Sequence, residues 1–263
     1  MSGATGTVLD RILAETRVAV ERRRREKPLP EPEDAGQHGR LRDALAAPGI
    51  GVIAEFKRRS PSAGALHDAP DLETILGAYE RGGAVAASIL TEEPNFGGSL
   101  EDLREARRIA GIPLLRKDFV VDRYQLLEAR AAGADAVLLI VAALTDAELA
   151  AFSAQAAELG LDVLVEVHDE AELERAAAHG PEILGVNNRD LRDFSVDVSR
   201  TERLLEMMPP EAIVVSESGI SRPEQLAVLE RQGVDAVLVG ETLMRAGDPA
   251  AALAELCSAR RKL

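Results

Sequence analysis

Apolar positions along most of the chain fall into two alternating kinds of stretch. Short runs rich in Val, Ile, Leu and Ala are separated by longer segments rich in Ala, Leu, Glu and Arg. The short runs predict strands at residues 52–56, 84–90, 113–116, 136–141, 163–167, 183–186, 213–216 and 236–239. The longer segments predict helices over 71–81, 99–110, 122–132, 145–159, 169–179, 198–207, 221–231 and 248–261. Each strand run is apolar almost throughout, with no regular polar alternation. That is expected of parallel strands covered by helices on their outer face. Eight successive β–α units predict an α/β fold, a (β/α)8 TIM barrel with an N-terminal helical extension. An open Rossmann-type sheet fits less well, because no G-x-G-x-x-G turn follows the first strand.

The extension is read at residues 1–48 and the barrel at 49–263. Val8 to about Glu26 predicts a helix with an apolar stripe of Val8, Ile12, Leu13, Val18 and Val20, ending in arginines 22–25. Pro28, Pro30 and Pro32 break it, and a second short helix is expected from Leu41 to Ala46. So short a segment buries little by itself and is expected to cap the barrel.

Composition narrows the function classes. A net charge of −14, from 31 basic and 45 acidic side chains, disfavours nucleic acid and anionic membranes as partners. It permits a small anionic ligand, since a few local donors outweigh a distant field. The single cysteine, Cys257, has no internal disulfide partner. The four histidines lack zinc-like spacing, so no metal is expected. No apolar run is long enough to span a bilayer, and the polar N-terminus lacks a secretory apolar core. The cytoplasm is the expected compartment.

In a barrel, residues at the C-terminal strand ends meet on one face, where chemistry is done. The first strand ends in Glu55-Phe56-Lys57-Arg58-Arg59-Ser60-Pro61-Ser62, the second in Thr91-Glu92-Glu93 and the third in Arg116-Lys117-Asp118. The fifth carries Glu166 and then His168, and the sixth ends in Asn187-Asn188-Arg189-Asp190. Ser216-Glu217-Ser218-Gly219 closes the seventh and Gly240-Glu241 the eighth. Glu55, Lys57, Lys117 and Glu166 form a charged set able to tune one another's protonation; the bland reading is ion pairs plugging the barrel end. Ser218-Gly219 and Gly240-Glu241 stand where barrels often bind phosphate, with a short helix expected near 241–245. Each glycine alone is more often a simple turn or a helix C-cap. Phe96 is either core or the lining of a ligand cavity, and Ser99 reads as a helix cap with Asp102 at the third helical position.

Six ordered stretches resemble the indole-3-glycerol phosphate synthase family: Val52 to Ser62, Ser88 to Glu92, Leu115 to Phe119, Leu164 to His168, Gly185 to Leu191 and Ser216 to Ile220. The resemblance implies a phosphorylated substrate, 1-(2-carboxyphenylamino)-1-deoxyribulose 5-phosphate. It is closed to indole-3-glycerol phosphate with loss of carbon dioxide and water in tryptophan biosynthesis. No cofactor is implied, and other enzymes of that pathway are admitted as partners. By the same resemblance Lys117 is the general acid of ring closure and Glu166 the general base of dehydration. Lys57 contacts anionic groups and moves protons, while Glu55 and Asn187 orient the reacting hydroxyl and the lysines. Ser60 and Arg189 stand near the substrate carboxylate and Phe96 packs on the anthranilate ring. Ser218, Gly219, Gly240 and Glu241 cradle the phosphate. The chain departs from the commoner pattern at Asn95, Ala63 and Arg123, none a proton-transfer position.

Two rivals remain. An anthranilate-derivative isomerase barrel of the same pathway uses a cysteine or aspartate pair at strand ends, whereas Cys257 lies in the last helix. A noncatalytic phosphate-binding barrel has no need of Lys57, Lys117 and Glu166 together.

Overall fold

The computed structural model describes residues 7–29, 38–61, 64–66, 71–190 and 195–258. Pro30, Pro32, Ser62, Ala63, Leu191 and the last residues of the C-terminal helix expected to run to 261 lie outside them. Two helices lead, α1 (Val8–Glu26) and α2 (Arg40–Leu45). Strand β1 (Gly51–Phe56) is followed by a small antiparallel hairpin of β2 (Arg59–Ser60) and β3 (Gly64–Ala65). Next come α3 (Leu72–Gly82), β4 (Ala86–Leu90), α4 (Glu93–Phe96), α5 (Leu100–Ile109) and β5 (Leu114–Lys117). Then follow α6 (Arg123–Ala132), β6 (Ala136–Ile140), α7 (Asp146–Glu158), β7 (Asp162–Val167), α8 (Glu170–Ala177) and β8 (Ile183–Asn187). The chain ends with α9 (Ser199–Leu205), β9 (Ile213–Glu217), α10 (Pro223–Gln232), β10 (Ala236–Val239), α11 (Glu241–Met244) and α12 (Pro249–Cys257).

The eight long strands close in the order β1-β10-β9-β8-β7-β6-β5-β4, every pair parallel, with β4 returning to β1. Each of the eight strands expected from the apolar runs is present. The fold is a (β/α)8 TIM barrel. All six residues of β1 and all five of β4, β6 and β8 are buried. Helices cover one strand face and packed side chains fill the other, so alternation never develops.

Local chemistry sets the helix boundaries. Asp71, Ser99, Asp122, Thr145, Asp169 and Asp248 each accept a backbone N–H in the first turn of the helix that follows. Ser99 accepts from the N–H of Asp102, as its spacing suggested. Gly133 ends α6 at φ +87°, a left-handed conformation that glycine adopts at little cost.

The apolar stripe of α1 differs from expectation at one position. Leu9, Ile12, Leu13 and Val20 are buried, whereas Val18 is 73% exposed. At 100° per residue Val18 lies about 160° round the helix from Val20, and Leu9 completes the stripe instead. The arginine run has partners. Arg23 donates to Glu128 of α6 at 2.7 and 3.1 Å, and Arg24 pairs with Asp122 at 3.2 Å. The hydroxyl of Tyr124 donates to the carbonyl of Lys27 at 2.8 Å. The short α2 is capped from the barrel. Asp162, first residue of β7, accepts the N–H groups of Gly39, Leu41 and Arg42 at 2.9, 2.8 and 3.1 Å. No described helix is long and apolar enough to cross a membrane.

Candidate active site

Parallel closure brings the C-terminal strand ends to one mouth, around a cavity of about 360 Å³. Glu55 is the fifth residue of β1, Lys117 the last of β5, Glu166 the fifth of β7, Asn187 the last of β8 and Glu217 the last of β9. Neighbouring registers bring these together: Asn187 pairs with Glu217, and Glu166 with Gly185. Gly185 lacks a side chain where a Cβ would collide with the Glu217 carboxylate.

Lys117 is the hub. Its ammonium donates to Glu217 at 2.7 Å and to Glu166 at 3.2 Å. Lys57 stands 2.7 Å from Glu55. Glu55, Glu166 and Glu217 are all at most 2% exposed. The mouth therefore sets three buried carboxylates against two ammonium groups. Burial works to lower the pKa of Lys117, but Glu217, Glu166 and Glu55 outweigh it and hold it far above the ordinary lysine value. The carboxylates divide. Burial pushes Glu217 up to about 7, and repulsion from Glu166 and Glu55 adds to the rise that Lys117 opposes. Burial also works to raise Glu166, yet Lys117, His168 and a hydrogen bond from Asn187 together hold it below the usual carboxylate range. Lys117 is nearer Glu217, so distance to the cation does not decide which carboxylate stays ionised. The extra partners of Glu166 do.

The other walls differ in character. Phe96, Phe119, Leu90, Leu138, Ile140 and Leu238 give an apolar side. Phe96 lies 6.3 Å from Phe119, ring centre to ring centre. Its loop is fixed by buried Glu92, which accepts the N–H groups of Asn95 and Phe96 and the Asn95 amide. Asn95 is thus used by its own loop. Arg123, another departure, is the first residue of α6.

On a further wall, Ser218 has φ +68° and Gly219 φ +81°. A serine in the left-handed region stores about 1–3 kcal/mol and marks a constrained turn. The Asn187 side-chain oxygen accepts from the Ser218 hydroxyl at 2.9 Å and the Arg189 N–H at 3.0 Å. Gln225 braces the turn by donating to the Gly219 carbonyl at 3.2 Å and accepting from the N–H of Ser221. The Glu241 carboxylate lies 3.8 Å from Arg189 and 3.2 Å from Arg245. Gly240 makes room for Glu55, since a Cβ there would stand 2.5 Å from the Glu55 oxygen.

Comparison with known proteins follows this geometry. A family model described as indole-3-glycerol phosphate synthase matches residues 9–256. The chain belongs to the indole-3-glycerol phosphate synthase family. A relative named indole-3-glycerol phosphate synthase from a Nocardioides species is 47% identical over 260 residues, covering 94% of this chain and 96% of the relative. Indole-3-glycerol phosphate synthase 2 of Streptomyces coelicolor is 54% identical over 206 residues, 78% of this chain and 80% of that one. Among solved structures, 3-hexulose-6-phosphate synthase from Salmonella typhimurium superposes with a TM-score of 0.63 at 16% identity, over 80% of this chain and 98% of that one. That likeness concerns the barrel alone. Membership makes the chain a decarboxylating lyase of tryptophan biosynthesis that acts on a phosphorylated small molecule.

Indole-3-glycerol phosphate synthase motifs thus converge here on one space. The cavity is lined by Glu55, Lys57, Ser60, Phe96, Lys117, Glu166, Asn187, Arg189, Ser218, Gly219, Gly240 and Glu241, every position expected from the sequence. It is also lined by Glu217, which sequence reasoning left out of the set. The available signal was its place as the last residue of a strand, in line with Asn187. Cys257 is half-buried in α12 and lines no part of the cavity.

Proposed function

We propose that the cavity closes, decarboxylates and dehydrates 1-(2-carboxyphenylamino)-1-deoxyribulose 5-phosphate, with Lys117 as general acid and Glu166 as general base. The observation that carries this reading is the Lys117 ammonium held between Glu166 and Glu217 on the floor of a cavity with one apolar wall. Ring closure puts negative charge on the ribulose carbonyl oxygen as the anthranilate carbon attacks it. A fixed, fully protonated ammonium stabilises that charge and delivers a proton to the alkoxide. Loss of carbon dioxide then restores aromaticity and asks little of the protein. Dehydration needs a base for one proton and an acid for the leaving hydroxyl. Once Lys117 has given up its proton, the cation that held Glu166 low is gone, and Glu166 becomes the stronger base at the step that uses it. The sequence is redox-neutral and balances without a cofactor.

The remaining assignments follow from what each wall offers. Phe96 packs on the anthranilate ring, with Ser60 near its carboxylate. Lys57, held by Glu55, meets the anionic groups of the substrate. The amides of Ser218, Gly219, Gly240 and Glu241 receive the phosphate. Glu241 serves through its backbone, since its carboxylate repels phosphate and is bracketed by Arg189 and Arg245. Arg189, so placed, serves either anionic end of the substrate. Residues 1–48 are read as an extension capping the barrel of 49–263, supported by the Asp162 and Glu128 contacts. The cytoplasm is the proposed compartment.

The test is Lys117→Ala, followed by indole fluorescence in a purified assay. Turnover is expected to fall by at least about 10²-fold, the contribution of a positioned acid, with the circular dichroism spectrum unchanged. Near-normal turnover would defeat the assignment. Wild-type protein that binds substrate without converting it would favour a noncatalytic barrel.

A further inference from the structure

His168 is buried, belongs to no wall of the cavity and is unused by the mechanism above. Its ring lies between two carboxylates. Nδ1 is 3.0 Å from the Glu172 carboxylate of α8, and Nε2 is 3.4 Å from the Glu166 oxygen that does not face Lys117. The same Glu172 oxygen accepts the His168 backbone N–H at 2.8 Å, and Glu172 is steadied by its own N–H donating to Asp169 at 2.9 Å. Nε2 makes no hydrogen bond, so its contact with Glu166 is one of charge alone. We propose that His168 is a positioning residue for the dehydration step, an imidazolium clamp that keeps Glu166 ionised and leaves Glu217 to take up the proton of the carboxylate cluster. This rests on the reading of Glu166 as the base.

The argument begins with the ring's two ends. With Nδ1–H donating to Glu172, a neutral imidazole would leave an unprotonated Nε2 only 3.4 Å from a carboxylate oxygen, two electron-rich atoms side by side. Only the doubly protonated ring sets a positive charge beside both carboxylates. The charged groups facing it agree: Glu166 on its own strand, Glu172 on α8 and Glu217 on β9, with Lys117 as the opposing cation beyond Glu166. Burial disfavours the imidazolium, but those three carboxylates outweigh it and raise its pKa.

The clamp explains an asymmetry that Lys117 cannot. Lys117 touches both carboxylates and is nearer Glu217. Glu217 pairs with Lys117 through one oxygen, and its second oxygen lacks a hydrogen-bond partner. Glu166 has His168 on one oxygen and Lys117 on the other. When Lys117 donates its proton, His168 is the charge that remains to hold the Glu166 carboxylate in place. Proton uptake therefore falls on Glu217 and the base stays free.

The experiment combines pH–rate profiles with direct titration. In His168→Asn, which is uncharged, the acidic limb of kcat is expected to move up by about one pH unit, with kcat about ten-fold low on the acid side of the limb and recovering above it. KM is expected to change less than about two-fold, since His168 does not touch substrate. Glu172→Gln should move the limb in the same direction by less. Nitrogen NMR of wild-type protein should show both His168 nitrogens protonated at pH 7, with the signal assigned by its loss in His168→Asn. A ring already neutral at pH 7, an unmoved limb in both variants, or a kcat lowered equally at every pH would overturn the clamp. If His168→Asn fails to fold, Glu172→Gln and the wild-type titration decide. Glu166→Gln separates the two readings. Normal turnover there defeats the base assignment by itself, whereas low turnover there with an unmoved limb in His168→Asn defeats only the clamp.

Discussion

The surroundings of Glu217 disfavour its ionised form, and that has a consequence for stability. Its pKa in the unfolded chain is near the usual 4.5 and in the folded protein about 7. A carboxyl whose folded pKa is raised stabilises the fold below its unfolded value, and that stabilisation is lost as pH climbs through the folded value. Glu217→Gln, neutral at every pH, is therefore expected to melt above the wild type at pH 8 and level with it at pH 4. Thermal melts across that range check it; a variant less stable at pH 8 would show that the Lys117 pair outweighs desolvation. Glu217 also marks where sequence reading stopped short. Glu55 and Glu166 already balance Lys57 and Lys117 in number, so nothing in the string calls for a third buried carboxylate. Only the register of β9 against β8 aligns it with Asn187.

Between elements, the two ends of β7 do different work. Its C-terminal end carries Glu166, while its first residue, Asp162, caps α2 through three backbone N–H groups. Barrels commonly separate chemistry and stability in this way. Asp162→Ala strands those donors and is expected to lower unfolding free energy by about 2–3 kcal/mol, with kcat unchanged within about two-fold. Urea denaturation and faster deuterium exchange at 39–42 would report it; a large fall in kcat at full stability would contradict the separation. The helix itself was legible from Leu41 onward, but its cap lies far along the chain, and a contact of that span leaves no local pattern. The same holds for the arginines of α1. Their run is plain in the sequence, while their partners Glu128 and Asp122 are fixed only by docking on α6. Val18 departs from the expected stripe for a different reason: the stretch around it is apolar in composition, but the helix angle turns this residue to solvent. The β2–β3 hairpin is two residues per strand, too short to set up any period.

At the scale of the whole molecule, closure of the barrel makes the site. Glu55 and Gly240 stand at opposite ends of the sheet's strand sequence, and pairing of β1 with β10 sets them side by side. Gly240 was read as a phosphate-cradle glycine, and it lines that cavity. Its missing side chain is also what admits Glu55. A Cβ at 240 would lie 2.5 Å from the Glu55 oxygen and 3.1 Å from its Cβ, and the Glu55 backbone is held by the Tyr79 hydroxyl at 3.0 Å. The carboxylate must then swing away, taking with it the group 2.7 Å from Lys57. Gly240→Ala is expected to cost about 1–3 kcal/mol of stability, as overpacking does, and to lower turnover by about 10–100-fold through displacement of the Glu55–Lys57 pair. Gly247→Ala is the control, because nothing lies within 4 Å of the added carbon. Steady-state kinetics and melts on both variants give the answer. If Gly240→Ala loses only phosphate affinity, seen as a raised KM at unchanged kcat, then the glycine serves the cradle and the two ends of the sheet are not coupled through Glu55.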